Sequence, residues 1–151
     1  METLLTGIVT WLALNVGLPA TAEHPRIEWV PSAKMAAIRH RDHASAQTPA
    51  SAGREIHSGR ADIEALYDDK TRTIYLRDTW TGATPAEVSV LVHEMTHHLQ
   101  NVAGLKYECP QAREELAYQA QERWLARSGR SLAKEFRLDP MTLLVRTKCM
   151  Y

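Results

Sequence analysis

The sequence predicts one α+β domain, and two kinds of pattern carry that prediction. Short stretches rich in β-branched and aromatic residues lie in the first half of the chain, whereas two long segments with helix start and stop signals occupy the second half. A length of 151 residues is enough for one modest hydrophobic core. The 18 basic and 18 acidic side chains balance, so bulk charge gives no support for a nucleic-acid or membrane surface.

The N-terminal segment has the pattern of a secretory signal peptide. Its mostly apolar run from Leu4 to Pro19 is short for a membrane span, and Ala20-Thr21-Ala22 supplies an A-x-A cleavage pattern. The positions before the run carry Glu2 and no Lys or Arg, which departs from the usual signal peptide. We therefore expect a signal peptide at 1–22, with an uncleaved N-terminal anchor as the alternative. The remaining domain, 23–151, is expected to be exported to the periplasm or the cell exterior, with no stable membrane span after cleavage.

The chain beyond this segment predicts a strand and then a short helix. Arg26 to Val30 has the pattern of a strand and is followed by a proline. Ser32 is suited to cap the next helix, which we expect to run through Ile38. His43 to Gly59 is rich in Ala, Ser, Gly and Pro without periodicity, so it is predicted to be a surface loop.

Two further strands are expected to form a hairpin. Ala61 to Tyr67 and Thr73 to Leu76 flank the polar run from Asp68 to Thr71. The stretch from Thr73 to Leu76 has the strongest β propensity in the chain. A small sheet made of these strands is expected to pack on the first long helix.

Two long helices are predicted in the second half of the chain. Thr84 to Glu87 is a capping box with a proline at the first helical position, and it predicts a helix that runs to about Val102. The second long helix begins at Pro110 and is stopped by Gly129. Two short helices are expected in the tail, at Ser131 to Leu138 and at Pro140 to Val145.

The first long helix carries the pattern His93-Glu94-Met95-Thr96-His97. Because His93 and His97 are four residues apart, their imidazoles lie one turn apart on the same side of the helix, as two nitrogen ligands of one zinc ion require. Glu94 is offset by one position, where it can act as general base on a metal-bound water. The pattern predicts a Zn²⁺ cofactor with His93 and His97 as ligands and Glu94 as the catalytic residue.

The alternative interpretation is that these are ordinary helix-surface histidines. At about 100° per residue, Leu91, Met95 and Leu99 belong to one apolar stripe. The two histidines fall on nearly the opposite side, and that side also carries Val90. A plain surface helix would not need an apolar residue there, so the helical wheel favours a second inward face that holds a metal.

The stretch from Val90 to Leu99 (VLVHEMTHHL) resembles the zincin metallopeptidases, and the whole chain is similar to small exported bacterial proteins with a minimal zincin core. The resemblance implies ligands at His93 and His97 and a catalytic base at Glu94. The metzincin pattern is excluded, since Gln100 stands three residues after His97 and no histidine follows His98. The chain therefore resembles the gluzincin type, in which a glutamate of the next helix is the third ligand.

Gluzincins begin that ligand pattern as E-x-x-A or E-x-x-S, and the second long helix contains Glu114-Glu115-Leu116-Ala117. On the wheel Glu114 shares the inward face with Ala117, whereas Glu115 points towards solvent. We assign Glu114 as the third metal ligand, with Glu115 as the alternative. Gluzincins often carry an aspartate four residues after the ligand, where this chain has Tyr118. Its hydroxyl is expected to be structural, with a hydrogen bond to a substrate oxyanion as the alternative.

Other polar residues near the motif are not expected to bind the metal. His98 points about 100° away from its neighbour in the motif and is expected to be partly exposed. His40 and His43 have a spacing that suits a metal, but they lie at a helix end beside a polar loop, where solvation is favoured. Gln100 and Gln121 are given no catalytic role, although they are placed to hydrogen-bond across the two long helices.

The only two cysteines, Cys109 and Cys149, are expected to form one disulfide. An even pair in an exported protein is most simply a disulfide, and its loop of roughly 40 residues would add about 4 kcal/mol of stability. Metal binding by this pair is the disfavoured alternative, because the close C-x-x-C spacing is absent.

The resemblance implies a zinc metallopeptidase that hydrolyses peptide or protein substrates. In zincins an edge strand beside the metal pairs with extended substrate, and Thr73 to Leu76 is the expected strand. Two other functions remain open. One is a non-catalytic, zinc-stabilised exported domain that binds a protein or the cell wall, and the other is a zinc amidase that acts on cell-wall peptides.

Overall fold

The computed structural model describes residues 1–45 and 64–150. In chain order these residues form α1 (Glu2–Val16), β1 (Arg26–Val30), α2 (Ser32–Ser45), β2 (Ala65–Asp68), β3 (Thr73–Arg77), α3 (Pro85–Val102), α4 (Pro110–Ala126), α5 (Leu132–Phe136) and α6 (Pro140–Thr147). Six helices and one three-stranded mixed sheet in the described part of the chain confirm the predicted α+β class.

The sheet has the order β1-β3-β2, with β1 parallel and β2 antiparallel to β3. The prediction that Thr73 to Leu76 forms an edge strand is therefore wrong, because β3 pairs on both sides. All four of those residues are buried, and a strand covered in this way is rich in apolar β-branched and aromatic side chains. The strong β propensity of this stretch was thus a sign of a central strand, and the described edge strands are β1 and β2.

The predicted hairpin between β2 and β3 is present. The Asp68 carboxylate accepts a hydrogen bond from the backbone N–H of Lys70 at 2.9 Å and another from the Thr71 hydroxyl at 2.9 Å, which closes the turn. Its first strand begins at Ala65 rather than at Ala61, and residues 61–63 lie outside the described part of the chain.

Helix α2 is longer than predicted, since it continues past Ile38 to Ser45. The predicted loop from His43 to Gly59 is consequently wrong for its first three residues. The rest of that loop, 46–59, lies outside the described residues.

Helix α3 begins and ends as predicted. The Thr84 hydroxyl accepts from the Glu87 backbone N–H at 3.1 Å, and the Glu87 carboxylate accepts from the Thr84 backbone N–H at 3.0 Å. Trp80 donates its indole N–H to the Glu87 carbonyl at 2.9 Å, and its ring covers Gly82, where any Cβ would lie only 2.7 Å from the ring. The first turn of α3 is therefore held both by its capping box and by the hydrogen bond from Trp80.

Helix α1 contains most of the apolar run that was predicted to be a signal-peptide core. Leu5, Ile8 and Leu12 have no exposed surface and belong to the same core as buried residues of α3. Trp11 contacts Trp124 edge to face, with 5.0 Å between ring centroids, and so connects α1 to α4. The segment is thus a packed helix in this structure, while its cleavage stays a prediction. None of the described helices is long and apolar enough to span a bilayer.

The C-terminal segment is fastened to the start of α4. Cys109 and Cys149 form the predicted disulfide, with 5.9 Å between their Cα atoms. Lys148 adds an ion pair with Glu115 at 2.7 Å, so the end of α6 is held against α4 at two points. A disulfide is typical of a protein in an oxidising compartment.

The tail helices lie where the sequence predicts them, with different ends. Helix α5 covers only Leu132–Phe136, because Ser131 caps its start and Arg137 adopts a left-handed conformation with φ +53° at its end. Helix α6 runs two residues beyond the predicted Val145.

Candidate metal centre

Helices α3 and α4 pack along each other and bring His93, His97 and Glu114 together. One ligand atom from each side chain lies within 4.8 Å of the other two. The Glu114 carboxylate spans both imidazoles, with one oxygen 3.0 Å from Nε2 of His93 and the other 3.1 Å from Nε2 of His97. Two nitrogen donors and one carboxylate are the ligand set of a catalytic zinc site with an open fourth position.

The second nitrogen of His97 is oriented by a glutamine. Gln100 donates its amide N–H to the Arg113 carbonyl at 3.1 Å, which leaves the Gln100 oxygen towards Nδ1 of His97 at 2.9 Å. A carbonyl oxygen only accepts, so Nδ1 of His97 must carry the proton. In neutral His97 the Nε2 atom then presents a lone pair to Glu114.

A second glutamine orients the ring of His93 in the same way. The Ser89 hydroxyl donates to the Ala86 carbonyl at 2.7 Å and accepts from the Gln121 amide N–H at 3.2 Å. The Gln121 oxygen therefore faces Nδ1 of His93 at 3.1 Å, and that nitrogen is the protonated one.

These orientations give the site its chemical character. With both Nδ1 atoms protonated, the two Nε2 atoms face one carboxylate, and the arrangement is favourable when both imidazoles are protonated or when a metal cation lies among the three groups. A divalent metal satisfies all three donors at once, and a glutamine that fixes the second nitrogen is the kind of outer contact that metal-binding histidines have. The residues present fit a zinc ion.

The Glu114 carboxyl group is ionised in this setting. Burial raises its pKa, but the positive charge and the hydrogen bonds of His97 and His93 in their protonated form outweigh burial and hold the pKa of Glu114 far below its usual range. Glu114 can therefore offer a charged oxygen ligand throughout the physiological pH range.

Glu94 lies beside the cluster without joining it. Burial, reinforced by the charge of Glu114, raises the pKa of Glu94 to about 7, although His93, Arg113 and a hydrogen bond from the Tyr67 backbone N–H act in the opposite direction. A carboxyl group with a pKa near neutrality can accept and release a proton at physiological pH, which is what a general base needs.

An arginine next to Glu114 connects α3 and α4 to the hairpin. Arg113 forms two hydrogen bonds of 2.6 Å with the Asp69 carboxylate and donates to the His97 carbonyl at 3.1 Å. Since a paired arginine–carboxylate contact is directionally specific, it fixes the start of α4 relative to α3 and to the β2–β3 turn. The sequence analysis did not identify Arg113, and its position beside Glu114 was the only available signal.

Tyr118 lies one turn after Glu114 with its ring against His93, at 4.6 Å between centroids. Its hydroxyl oxygen accepts a hydrogen bond from Arg146 at 3.0 Å. Burial raises the pKa of Tyr118, so the hydroxyl stays protonated and keeps a proton to donate. The expectation of a structural hydroxyl fits the bond to Arg146, and the ring contact places Tyr118 at the wall of the site.

The remaining sequence candidates whose side chains are described lie outside the cluster. Glu115 faces outward to Lys148, as the helical wheel predicted. His40 is exposed on α2, and His43 lies outside the residues whose side chains are described. The expectation that His98 is partly exposed is wrong. It has no exposed surface, and its ring contacts the Tyr67 hydroxyl at 3.1 Å and the carbonyl of Glu23 at 2.7 Å, because the segment before β1 covers that side of α3.

Sequence reasoning missed the contribution of the two glutamines. It placed Gln100 and Gln121 between the helices but gave them no part in the site. Their spacing held a signal, since Gln100 follows His97 by three residues and shares its helix face, while Gln121 follows Glu114 by seven and so shares the face that points at the motif histidines.

Comparison with known proteins gives a family for the chain. The model of one protein family, described as "Domain of unknown function (DUF6647)", matches residues 1–151. Searches of curated proteins and of solved structures found no match.

Proposed function

We propose that this chain, which belongs to the DUF6647 family, is a zinc-dependent peptidase with a gluzincin-type ligand set of His93, His97 and Glu114. One observation carries the proposal: two imidazoles, each held at Nδ1 by a glutamine oxygen, direct their Nε2 atoms at one carboxylate. Zinc is the metal that this set of two histidines and one glutamate suits best, since Mg²⁺ and Ca²⁺ prefer oxygen ligands alone.

Glu94 supplies the acid–base chemistry in this proposal. Zinc, when bound, polarises the substrate carbonyl and lowers the pKa of water towards neutrality. Glu94 takes the proton from the attacking water and passes it to the departing amine, which suits a carboxyl group whose pKa is about 7 before metal binds. The backbone N–H of Tyr67 holds the Glu94 carboxylate in place during this transfer.

Two neighbouring features support a peptide substrate. Strand β2 is an edge strand among the described residues and reaches the site through Tyr67, so an extended peptide can pair beside Glu94. Tyr118 is placed at the wall of the site with a free proton to donate to the oxyanion that forms during hydrolysis.

The decisive experiment compares Glu114→Ala with its neighbour Glu115→Ala. We expect the wild type and Glu115→Ala to bind one zinc ion per chain, whereas Glu114→Ala loses most of its zinc, because a third of the protein donors is removed. Metal content of the purified proteins measures this directly. Equal zinc content in the two variants would show that Glu114 is not a ligand.

Hydrolysis is tested with Glu94→Gln, which keeps the shape of the side chain but cannot carry the proton. We expect full zinc content and a loss of turnover of at least a hundredfold on casein-derived peptides. Retained zinc with no turnover by the wild type, unchanged in Glu94→Gln, would instead indicate a zinc-stabilised binding domain. Turnover of muropeptides but not of casein would indicate a cell-wall amidase.

A further inference from the structure

A cationic group contacts Tyr118, whose ring also contacts a candidate metal ligand. The Tyr118 ring contacts His93, and its hydroxyl accepts from Nη1 of Arg146 on α6 at 3.0 Å. A single aromatic ring therefore separates the guanidinium of Arg146 from a zinc-ligand candidate. The charges of Arg146, Glu114 and Glu94 also influence the pKa of Tyr118.

The guanidinium of Arg146 has more hydrogen-bond donors than its contact with Tyr118 uses. A guanidinium carries five N–H donors in a planar fork that matches a carboxylate. Within the described part of the chain, the Tyr118 hydroxyl is its one hydrogen-bond partner, and no carboxylate pairs with it. The side chain is half-buried, so solvent satisfies it less well than it would a fully exposed arginine.

A second arginine strengthens the positive potential at this place. Arg39 of α2 is half-buried, and its pKa is lowered by burial and then by the positive charge of Arg146.

The framework that holds Arg146 is rigid enough for a binding site. The Cys109–Cys149 disulfide and the Lys148–Glu115 ion pair fasten the end of α6 to α4. Leu143, one turn before Arg146, packs in the same apolar cluster as Tyr118. The guanidinium therefore keeps a defined position relative to the metal ligands.

We propose that Arg146, positioned by Tyr118, forms a subsite that binds a carboxylate of the substrate next to the bond that is cleaved. This inference rests on the proposed peptidase function and adds a substrate class to it, namely peptides that carry a negative charge close to the scissile bond. The carboxylate is supplied either by the free C-terminus of the peptide or by an Asp or Glu side chain.

The test measures peptide binding to the zinc-loaded Glu94→Gln protein, in which turnover does not interfere. One pair of short N-acetylated peptides differs only in a C-terminal acid against a C-terminal amide. A second pair, amidated at the C-terminus, differs only in an internal Asp against Asn. We expect one acidic peptide to bind roughly ten- to a hundredfold more tightly than its neutral partner, which is the range of a charged hydrogen-bonded pair. The pair that shows the difference identifies the source of the carboxylate.

Arg146→Gln should abolish this preference, whereas Arg130→Gln, an exposed arginine on the loop after α4, should leave it unchanged. Equal affinity for both members of each pair would overturn the proposal. A preference that survives in Arg146→Gln would also overturn it, because the carboxylate would then bind elsewhere, for example at the metal. If circular dichroism shows that Arg146→Gln does not fold, Arg146→Lys replaces it in the test. This variant keeps the positive charge but loses the paired donors, so it should lose most of the preference for the acidic peptide.

Measuring the same affinities with and without zinc separates this inference from the function on which it rests. If the Arg146-dependent preference is present but the wild type binds no zinc or shows no turnover, the peptidase proposal is overturned and the carboxylate subsite stands. Full zinc content and turnover without any preference for the acidic peptides would overturn the carboxylate subsite and leave the peptidase proposal.

Discussion

The motif histidines are each oriented by a neutral amide rather than by a carboxylate. Gln121 accepts from Nδ1 of His93 and Gln100 accepts from Nδ1 of His97. A carboxylate at these positions would raise the basicity of the imidazole and strengthen its bond to a metal. The amides fix the ring orientation without that increase, so we expect zinc to be bound less tightly than at a site with carboxylate partners.

The zinc affinity should depend on Gln121. Gln121→Ala removes the acceptor that orients His93, and we expect the dissociation constant for zinc to rise roughly ten- to a hundredfold. Gln121→Glu should lower the constant instead, since the carboxylate makes His93 more basic. Gln119→Ala, an exposed glutamine on the same helix, is the matched control. The constants are measured by competition with a chromogenic chelator, and equal constants for Gln121→Ala and Gln119→Ala would contradict the orienting role.

The buried His98 should make stability depend on pH. Burial lowers the pKa of His98, which is neutral and donates from Nε2 to the Glu23 carbonyl. The unfolded chain therefore takes up this proton more readily than the folded one, so the stability is complete above the ordinary imidazole pKa of about 6.5 and is lost as the pH falls below it.

Urea unfolding of the metal-free protein at about pH 7.5 and pH 5.5 measures this dependence. His98→Gln keeps a donor near the Nε2 position but does not titrate, so its free energy of unfolding should fall less between the two pH values than that of the wild type. The same fall in both proteins would show that other groups cause the pH dependence.

At the scale of elements, the site depends on the firm start of α3 and on the contact between α3 and α4. The capping box and the Trp80 hydrogen bond fasten the first turn of α3, two turns before His93. Arg113 and Gln100 then connect α4 to α3 near His97. Because ligands on two helices must meet at one point, fraying or sliding of either helix would separate them.

Thr84→Ala should destabilise the protein by about 1 kcal/mol, within the range of 0.5–2 kcal/mol for a lost cap. The Glu87 backbone N–H loses its acceptor, and the box no longer closes. Thr84→Ser retains the hydroxyl oxygen and should stay within about 0.5 kcal/mol of the wild type. Chemical unfolding followed by tryptophan fluorescence gives both values, and equal losses in the two variants would show that the hydroxyl does not cap the helix.

At the scale of the whole molecule, the N-terminal helix is part of the core that supports the site. Leu5, Ile8 and Leu12 of α1 are fully buried in the cluster that also holds Leu91 and Met95 of α3. Complete burial of each such side chain contributes about 1.5–3 kcal/mol. Their sum is a large part of the 5–15 kcal/mol by which a domain is typically stable.

Leu12→Ala should therefore lower the free energy of unfolding of the full chain by about 2–5 kcal/mol. Leu14→Ala, two residues away with 81% of its side chain exposed, should change it by no more than about 0.5 kcal/mol. Thermal unfolding by circular dichroism makes the comparison, with the intact mass recorded to show which residue begins the protein. Equal stability of the two full-length variants would mean that α1 does not pack as described.

Much of the local structure could be predicted from the sequence. The start and end of α3, the start of α4 and the hairpin follow from local rules, namely capping residues, proline at the first turn and polar turn residues. The disulfide was predictable because two cysteines offer a single pairing. The meeting of Glu114 with the two motif histidines followed from helical periodicity, since one face of each helix was already apolar.

Only the tertiary structure decided the features that depend on partners distant in the chain. The strand order placed β3 in the centre, because burial on both faces is a property of the packed sheet and not of the strand alone. The buried state of His98 came from the segment before β1, 75 residues away from it in sequence. The orientation of the two imidazoles required the glutamine contacts, which hold Nδ1 of His93 and of His97 and direct both Nε2 atoms at the Glu114 carboxylate. The sequence alone determined the identity and the spacing of the candidate ligands His93, His97 and Glu114. The packing of α4 and α6 against α3 decided which side chains surround these three residues. Side chains of different helices meet only when the whole core is assembled.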